Sequence, residues 1–358
     1  GFYVIRVGRA SALPTEKMAL LVDGRSLQTP SQLRGIGRYT LALLRCLKGR
    51  SRCRFLFFDP PPEEFSSQAL LYPGPRRMIS WLDNLFLPPL FRRFGITLYH
   101  SPAYALPGRI RGCRSLLTLH DLTPLHFAED FSWRNRRVIS RLVGSIADAD
   151  LLLTDSEATW EDLVSRGLDR GVPHRVVYPP LTAFSDLEPP QMELPQEYLL
   201  FCGGPDRVKN LETAIAGAGL AGIPLVVAGP GRGGERAPEG VLYAGHLSDR
   251  SLGWLYAHAS ALLLLSLNEG FGYPPLEALS CGTVPIVSDL PVFREVLGPG
   301  AIYVHNPRSG EETAGAIKSL LSDRTLRQRV LEEGRRRLSL YSAERFGETM
   351  GEVYDSLE

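Results

Sequence analysis

From Ala19 onward the chain consists of short runs that are apolar on both faces, each separated from the next by a helix-length amphipathic stretch. The runs ALLVD (19–23), RFLFF (54–58), ITLYH (96–100), SLLTLH (115–120), LLLT (151–154) and RVVYP (175–179) alternate with helical patterns at 36–48, 79–94, 132–148 and 156–166. A strand that is apolar on both faces must be covered on both, so this alternation predicts a parallel sheet between two layers of helices. The proline-rich stretch PPLTAFSDLEPPQMELPQE (179–197) interrupts the pattern and reads as a linker. The alternation then restarts with YLLFCGG (198–204), IPLVVAG (223–229), VLYAGH (241–246), ALLLLSL (261–267), VPIVS (284–288) and AIYVH (301–305). Helical patterns accompany it from about 209 and at 248–258, 310–322, 324–339 and 342–358. Two doubly wound α/β domains joined in this way leave a cleft at the carboxyl ends of their strands, where such sheets take ligands.

The expected organisation is an extension over 1–18, set aside for want of patterning, then a first domain over 19–183. A linker follows over 184–197, a second domain over 198–340 and a final helix over 341–358. A net charge of +1 gives no overall field to attract nucleic acid, which is excluded as a partner. Only four of the 40 basic residues are lysines (Lys17, Lys48, Lys209, Lys318), so each lysine is informative. Five cysteines without a C-x-x-C pair, and without a secretory signal, fit reduced thiols in a cytoplasm. The longest apolar run, 261–267, is far short of the roughly 20 residues that span a bilayer.

The most specific chemistry lies in SLNEGFGYPPLEALSCGT (266–283), where Glu269 and Glu277 stand eight apart around a glycine-lined turn. Gly270 and Gly272 permit a tight turn, Pro274 suits the first helical position, and Glu277 is expected in the first turn of the helix. A carboxylate there serves either the helix dipole or a ligand. Glu269, ending a strand at the cleft, has no such alternative and suits sugar hydroxyls, while the amides of Gly270, Phe271, Gly272 and Tyr273 suit a phosphate or hydroxyl. In CGGPDRVKN (202–210), Gly203 and Gly204 end a strand, and Arg207 and Lys209 begin the next helix, a cradle for a diphosphate or else a solvated turn. His120 in LTLHDLTPL and His100 in LYHSPAYALP each end a strand and are either cleft residues or structural ones. Asp155 and Ser156 read as a helix cap. GPGRGG (229–234) fits a dinucleotide fingerprint, but it runs on into another strand instead of opening a helix, and it reads as a loop.

Taken together, GIGRYT, LYHSP, HDLTPL, TDSEAT, VVYPPL, CGGPDRVKNLETAI, VLYAGHLSD, NEGFGYPPLEALSCGTVPIVSD and FREVLGPGAIYV resemble glycosyltransferase family 4, the retaining nucleotide-sugar enzymes of the GT-B fold. Within that family the chain looks most like bacterial mannosyltransferases of O-antigen or exopolysaccharide synthesis. The resemblance implies that Glu269 binds the donor sugar and Glu277 the ribose, with the diphosphate neutralised by Lys209 and Arg207. It places the 270–273 amides against sugar and phosphate, His120 near the transferred sugar from the other domain, and Leu247 beside the base. Gly35 and Gly37 would line the acceptor side, and the last helix would cross back onto the first domain. One departure is that Val208 and Gly204 stand where family members commonly carry arginine.

The implied reaction is transfer of a hexose, mannose from GDP-mannose for preference, to a hydroxyl of a saccharide or lipid-linked saccharide, with retention. No cofactor or metal is expected, since no carboxylate pair or His/Cys cluster with metal-ligand spacing occurs. Alternatives are a nucleotide-sugar-binding scaffold without catalysis, or an epimerase or phosphorylase on the same fold. The apolar, arginine-bearing stretches 81–95 and 133–144 are either core helices or a peripheral contact with the inner face of the membrane.

Overall fold

The structure is a computed structural model; it describes residues 20–29, 35–74, 79–103, 105–127, 133–230 and 237–357, without the side chains of 79–81 and 133–139. The first sheet contains β1 (Leu20–Asp23), β2 (Cys53–Phe57), β3 (Ala69–Leu71), β4 (Leu98–Ser101), β5 (Arg114–Leu119), β6 (Leu151–Thr154) and β7 (His174–Val176). Its spatial order is β3-β2-β1-β4-β5-β6-β7, and every neighbouring pair is parallel. Period-two alternation divides each strand between two cores. Leu20 and Val22 face one core while Leu21 faces the other, and Leu151 and Leu153 are separated from Leu152 in the same way. Helix α1 (Gly35–Leu47) covers the first face. Helices α2 (Ile79–Phe94) and α4 (Trp133–Asp148) cover the other, through Leu87 and Phe91 and through Leu142 and Ile146. Of these, Leu87, Phe91 and Leu142 lie in the stretches that also suited a membrane surface by sequence, and they are core residues. Short α3 (Thr123–His126) follows β5, and α5 (Glu157–Ser165) follows β6.

The second sheet repeats the design with β8 (Leu199–Cys202), β9 (Leu225–Ala228), β10 (Val241–Gly245), β11 (Ala261–Leu264), β12 (Pro285–Ser288) and β13 (Ile302–Val304). Its order is β10-β9-β8-β11-β12-β13, again all parallel. The helices are α6 (Leu211–Ala221), α7 (Asp249–His258), α8 (Tyr273–Ser280), α9 (Pro291–Leu297), α10 (Gly310–Ser322), α11 (Arg324–Leu338) and α12 (Ala343–Asp355). Side-chain caps start several of them: Ser248 accepts from Ser251 N, Ser309 from Glu312 N, Asp323 from Leu326 N and Ser342 from Arg345 N. Residues 231–234 of the glycine-rich GPGRGG lie outside the described residues, and the next described element is β10.

Between β7 and β8 no regular element forms, yet the segment is packed. Phe184 lies 5.6 Å from the Tyr256 ring, and Glu188 N donates to the Arg250 carbonyl. Helix α12 leaves the second domain and inserts Phe346, Met350, Val353 and Tyr354 into the first core, the i, i+4, i+7, i+8 stripe of a helix buried on one face. Strand order reverses between β1 and β4 and between β8 and β11. These are the switch points where doubly wound sheets open a crevice.

Candidate active site

At the second switch point the chain leaves β8 through half-buried Gly203 and Gly204 and forms a 3-10 turn over Arg207–Lys209. Helix α6 starts at Leu211, two residues beyond the start expected at about 209, because Asn210 takes a left-handed conformation (φ 54°, ψ 42°). Asn210 Nδ2 donates to the carbonyls of Leu265 (2.9 Å) and Pro307 (2.5 Å), and Leu267 N donates to Val208 O at 2.8 Å. Those bonds staple the turn to the segment leaving β11. Lys209 Nζ is thereby brought 2.5 Å from Glu269 Oε1, which also accepts from Ser266 Oγ at 2.7 Å. The Lys209 side chain is 28% exposed and that of Glu269 11%, so the pair is only partly withdrawn from solvent. Arg207 is exposed on the same turn.

Beyond Glu269 the chain makes its closest approach to the other domain. A Cβ on Gly270 would stand 1.9 Å from the His120 carbonyl oxygen, so only glycine fits there. Gly272 then caps α8 in the left-handed region (φ 85°). Pro274 and Pro275 occupy the first turn, and Glu277, read from the sequence as lying in about the first turn, is the fifth residue and opens the second. The helix dipole therefore does not account for it. Its carboxylate is only 3% exposed; Oε2 accepts from Tyr256 OH at 2.8 Å, and Oε1 pairs with Arg38 of α1, in the other domain. Leu247 is half-buried against the cluster that holds Cys202 and Tyr256. Burial raises the Cys202 thiol to about 12, keeping it protonated.

Across the cleft, His120 follows β5 and is 6% exposed. Its Nδ1 lies 2.6 Å from Asp155 Oδ2 and its Nε2 3.0 Å from the Pro102 carbonyl. Both partners are acceptors, so the ring is held as a donor at both nitrogens. Burial disfavours that charge, but Asp155 and the two hydrogen bonds outweigh it, and the His120 pKa is raised. The ring thus faces its own domain, while the His120 main chain meets Gly270. His100, on the adjacent strand, is structural: it bonds Thr118 Oγ1 (2.8 Å) and Tyr354 OH (2.7 Å), and burial lowers its pKa to about 3. Gly35 lies 3.5 Å from the Tyr273 ring, measured from a Cβ built on it, and Gly37 is buried in the first turn of α1.

Several residues at this seam escape sequence reasoning. Asp155 reads as a cap, but the cap is Ser156, which accepts from Thr159 N and also donates to Gly270 O at 2.8 Å. Asn268 Nδ2 donates to Thr123 Oγ1 at 2.9 Å across the same seam. Glu295 of α9 accepts from Glu157 N and Ala158 N, capping α5 from the other domain, and accepts from Tyr178 OH. The only available signal was the S-x-x-[ST] spacing at Ser156; the rest depends on tertiary contacts. Among the described residues no group of three or more His, Cys, Asp or Glu is disposed to hold a metal ion. None of the described helices is long and apolar enough to cross a membrane.

Two parallel Rossmann-like sheets whose charged carboxyl ends face each other define the GT-B class. Sucrose-phosphate synthase from Thermosynechococcus elongatus superposes with a TM-score of 0.71 over 95% of this chain and 99% of its own, at 17% identity. Anabaena HepE, solved in complex with UDP and glucose, gives 0.70 over 95% and 100%, at 16% identity. These likenesses establish the fold. The family model described as Glycosyltransferase Family 4 matches residues 33–181, and that described as Glycosyl transferases group 1 matches 196–337. The chain belongs to glycosyltransferase family 4. Escherichia coli O-antigen chain mannosyltransferase B is 27% identical across 84% of this chain and 91% of its own. Salmonella typhimurium O-antigen chain mannosyltransferase RfbU is 46% identical across 22% of each.

Proposed function

We propose that this glycosyltransferase moves mannose from GDP-mannose to a saccharide hydroxyl, with retention, in the assembly of a bacterial surface polysaccharide. The single observation that carries this reading is the contact of Lys209 with Glu269 at the strand ends of the second domain, where the turn after Glu269 meets the His120 main chain and Tyr273 meets Gly35 of the first domain. A diphosphate needs a cation, and the sugar and ribose need acceptors; Lys209, Glu269 and Glu277 are groups of those kinds carried by the second domain. The names of the relatives support mannose and O-antigen.

In the reaction the bond from the sugar C1 to the diphosphate oxygen breaks and a bond from C1 to the acceptor oxygen forms. The acceptor proton passes to the departing phosphate. Lys209 opposes the charge growing on that phosphate, an electrostatic contribution of several kcal/mol in a site closed to water. Glu269 accepts from the sugar hydroxyls, Glu277 from the ribose, and the 270–273 amides lie along sugar and phosphate. Arg207 assists Lys209 from the exposed side of the turn, Gly203 and Gly204 let backbone approach the phosphates, and Leu247 lies beside the base. His120 borders the sugar from the first domain through its main chain, its ring being held by Asp155 and Pro102, and Gly35 and Gly37 border the acceptor, a saccharide or lipid-linked saccharide. No metal takes part, and the work is done in the cytoplasm, with peripheral contact at the inner membrane face where the acceptor is lipid-linked.

Thermal-shift measurements with GDP, UDP, dTDP and ADP test the donor assignment, since a ligand bound at 100 times its Kd stabilises by about 2.7 kcal/mol. GDP should give the largest shift, and GDP-mannose should be consumed only with acceptor present. A larger shift with another base overturns the GDP assignment.

A further inference from the structure

Arg38 belongs to none of the roles above. It is the fourth residue of α1, set between the buried residues Gly37 and Tyr39, and its side chain is 38% exposed. Its guanidinium leaves its own domain: Nη1 pairs with Glu277 Oε1, and Nη2 lies 3.6 Å from Asp249 Oδ1. The two partners are unequal, because the Asp249 side chain is 83% exposed and that of Glu277 3%. The same charge reaches Cys202, Tyr256 and Tyr273 closely enough to bear on their acidity. Those neighbours place it between the end of β8, α7 and the first turn of α8.

This position conflicts with the proposed binding of ribose. Arg38 is the charged neighbour of Glu277 Oε1, which accepts no hydrogen bond from the described residues, so a hydroxyl donating to that oxygen would displace the guanidinium. A nucleoside offers the displaced guanidinium only neutral acceptors, whereas a diphosphate offers anionic oxygens that its planar fork can hold in two parallel, charge-assisted hydrogen bonds. The mounting fits such an exchange, a long half-exposed side chain on a backbone fixed by the buried residues on either side.

We propose that Arg38 is a donor-binding residue that exchanges Glu277 for the diphosphate as the ribose takes the carboxylate. This rests on the nucleotide-sugar reading above and makes the ligand a tie between the domains: its ribose and phosphates are held by the second domain and its diphosphate also by α1. It further means that the phosphates are needed to release the carboxylate for the ribose.

The experiment compares guanosine and GDP affinities of wild type and Arg38→Ala by calorimetry, with Arg38→Gln as a second variant and melting curves to show that each is folded. Loss of charge-assisted hydrogen bonds should weaken GDP roughly ten- to a hundredfold. Guanosine affinity should stay the same or tighten, because its competitor for Glu277 is gone. The salt dependence of GDP binding should also flatten. Equal weakening of guanosine and GDP would make Arg38 a mere support of the site and overturn the exchange, as would unchanged affinity for both. Wild-type protein that binds no nucleoside diphosphate overturns the donor reading itself. Wild-type binding with an indifferent Arg38→Ala overturns only the role of Arg38.

Discussion

At the carboxyl end of β1, Arg25 is locked between Asp23 and Asp83 by bonds of 2.7 to 3.1 Å, and its guanidinium lies 4.7 Å from the Tyr72 ring centre. At the equivalent end of β8, Lys209 holds Glu269 by one contact and remains 28% exposed. The two places are the same in topology, the switch point of a doubly wound sheet, but not in chemistry. The first has consumed its charges in a buried network with Tyr99 OH donating to Asp23 Oδ2. The second keeps charges whose partners a ligand can replace. Position in the fold therefore offers a site, and whether the polar groups are already saturated decides if it is used for binding.

Arg25→Ala tests the locked side and should have the largest effect. It strands two buried carboxylates, and breaking a buried ionic network costs about 3–5 kcal/mol. Denaturant unfolding should show that loss, with nucleotide affinity of the folded fraction almost unchanged. A loss below about 1 kcal/mol would mean that the first edge is no more committed than the second.

Lys209→Ala tests the open side. The Lys209–Glu269 pair is more exposed than the Arg25 network, so the stability lost should be smaller than for Arg25→Ala. Turnover should fall roughly 10²- to 10³-fold, the usual cost of removing one group that stabilises transition-state charge. Wild-type kcat at saturating donor would remove Lys209 from the proposed chemistry.

The two strand-end histidines sharpen the comparison within the first domain. His100 has a pKa of about 3 when folded and about 6.5 when unfolded, so the unfolded chain binds more protons between those values. Its contribution to stability is present above pH 6.5 and is lost as pH falls, by about 2 kcal/mol at pH 5. His120 has the opposite sign: its raised pKa stabilises fully below pH 6.5 and is lost as pH rises through the folded value. The stability gap between wild type and His100→Asn should therefore narrow by about 2 kcal/mol from pH 7 to pH 5. A constant gap would show that His100 takes up its proton without unfolding.

Much of the fold was legible because strands buried on both faces cannot hide their composition. LLLT at 151–154 is β6 residue for residue. Edge strand β3 was not legible, since its three residues, Ala69–Leu71, are half-buried or exposed and form no apolar run of strand length. Helix α9, seven residues beginning at Pro291, offered too few turns for a period to appear. In the candidate site, Glu269 stood out because glycines and prolines around an acid make a local pattern. Arg38 did not, because its meaning depends on Glu277, which is distant in sequence and lies on another domain. Asp155 was masked by Ser156, whose capping pattern explained the pair of residues without remainder.

Ser156 yields the smallest and most discriminating test. Its hydroxyl caps α5 and also donates to Gly270 O, so Ser156→Ala removes a helix cap and a bond between domains. Ser309 caps α10 in the same way, but its further hydrogen bond, to Glu311, stays within its own helix. Each alanine variant should cost about 1 kcal/mol in unfolding experiments, the typical value for an N-cap. Only Ser156→Ala should also raise the donor KM, by a few-fold, because the turn carrying Glu269 loses a support from the facing domain. Equal kinetics for the two variants would show that the Gly270 bond is incidental, and that the seam at His120 and Gly270 is held by shape alone.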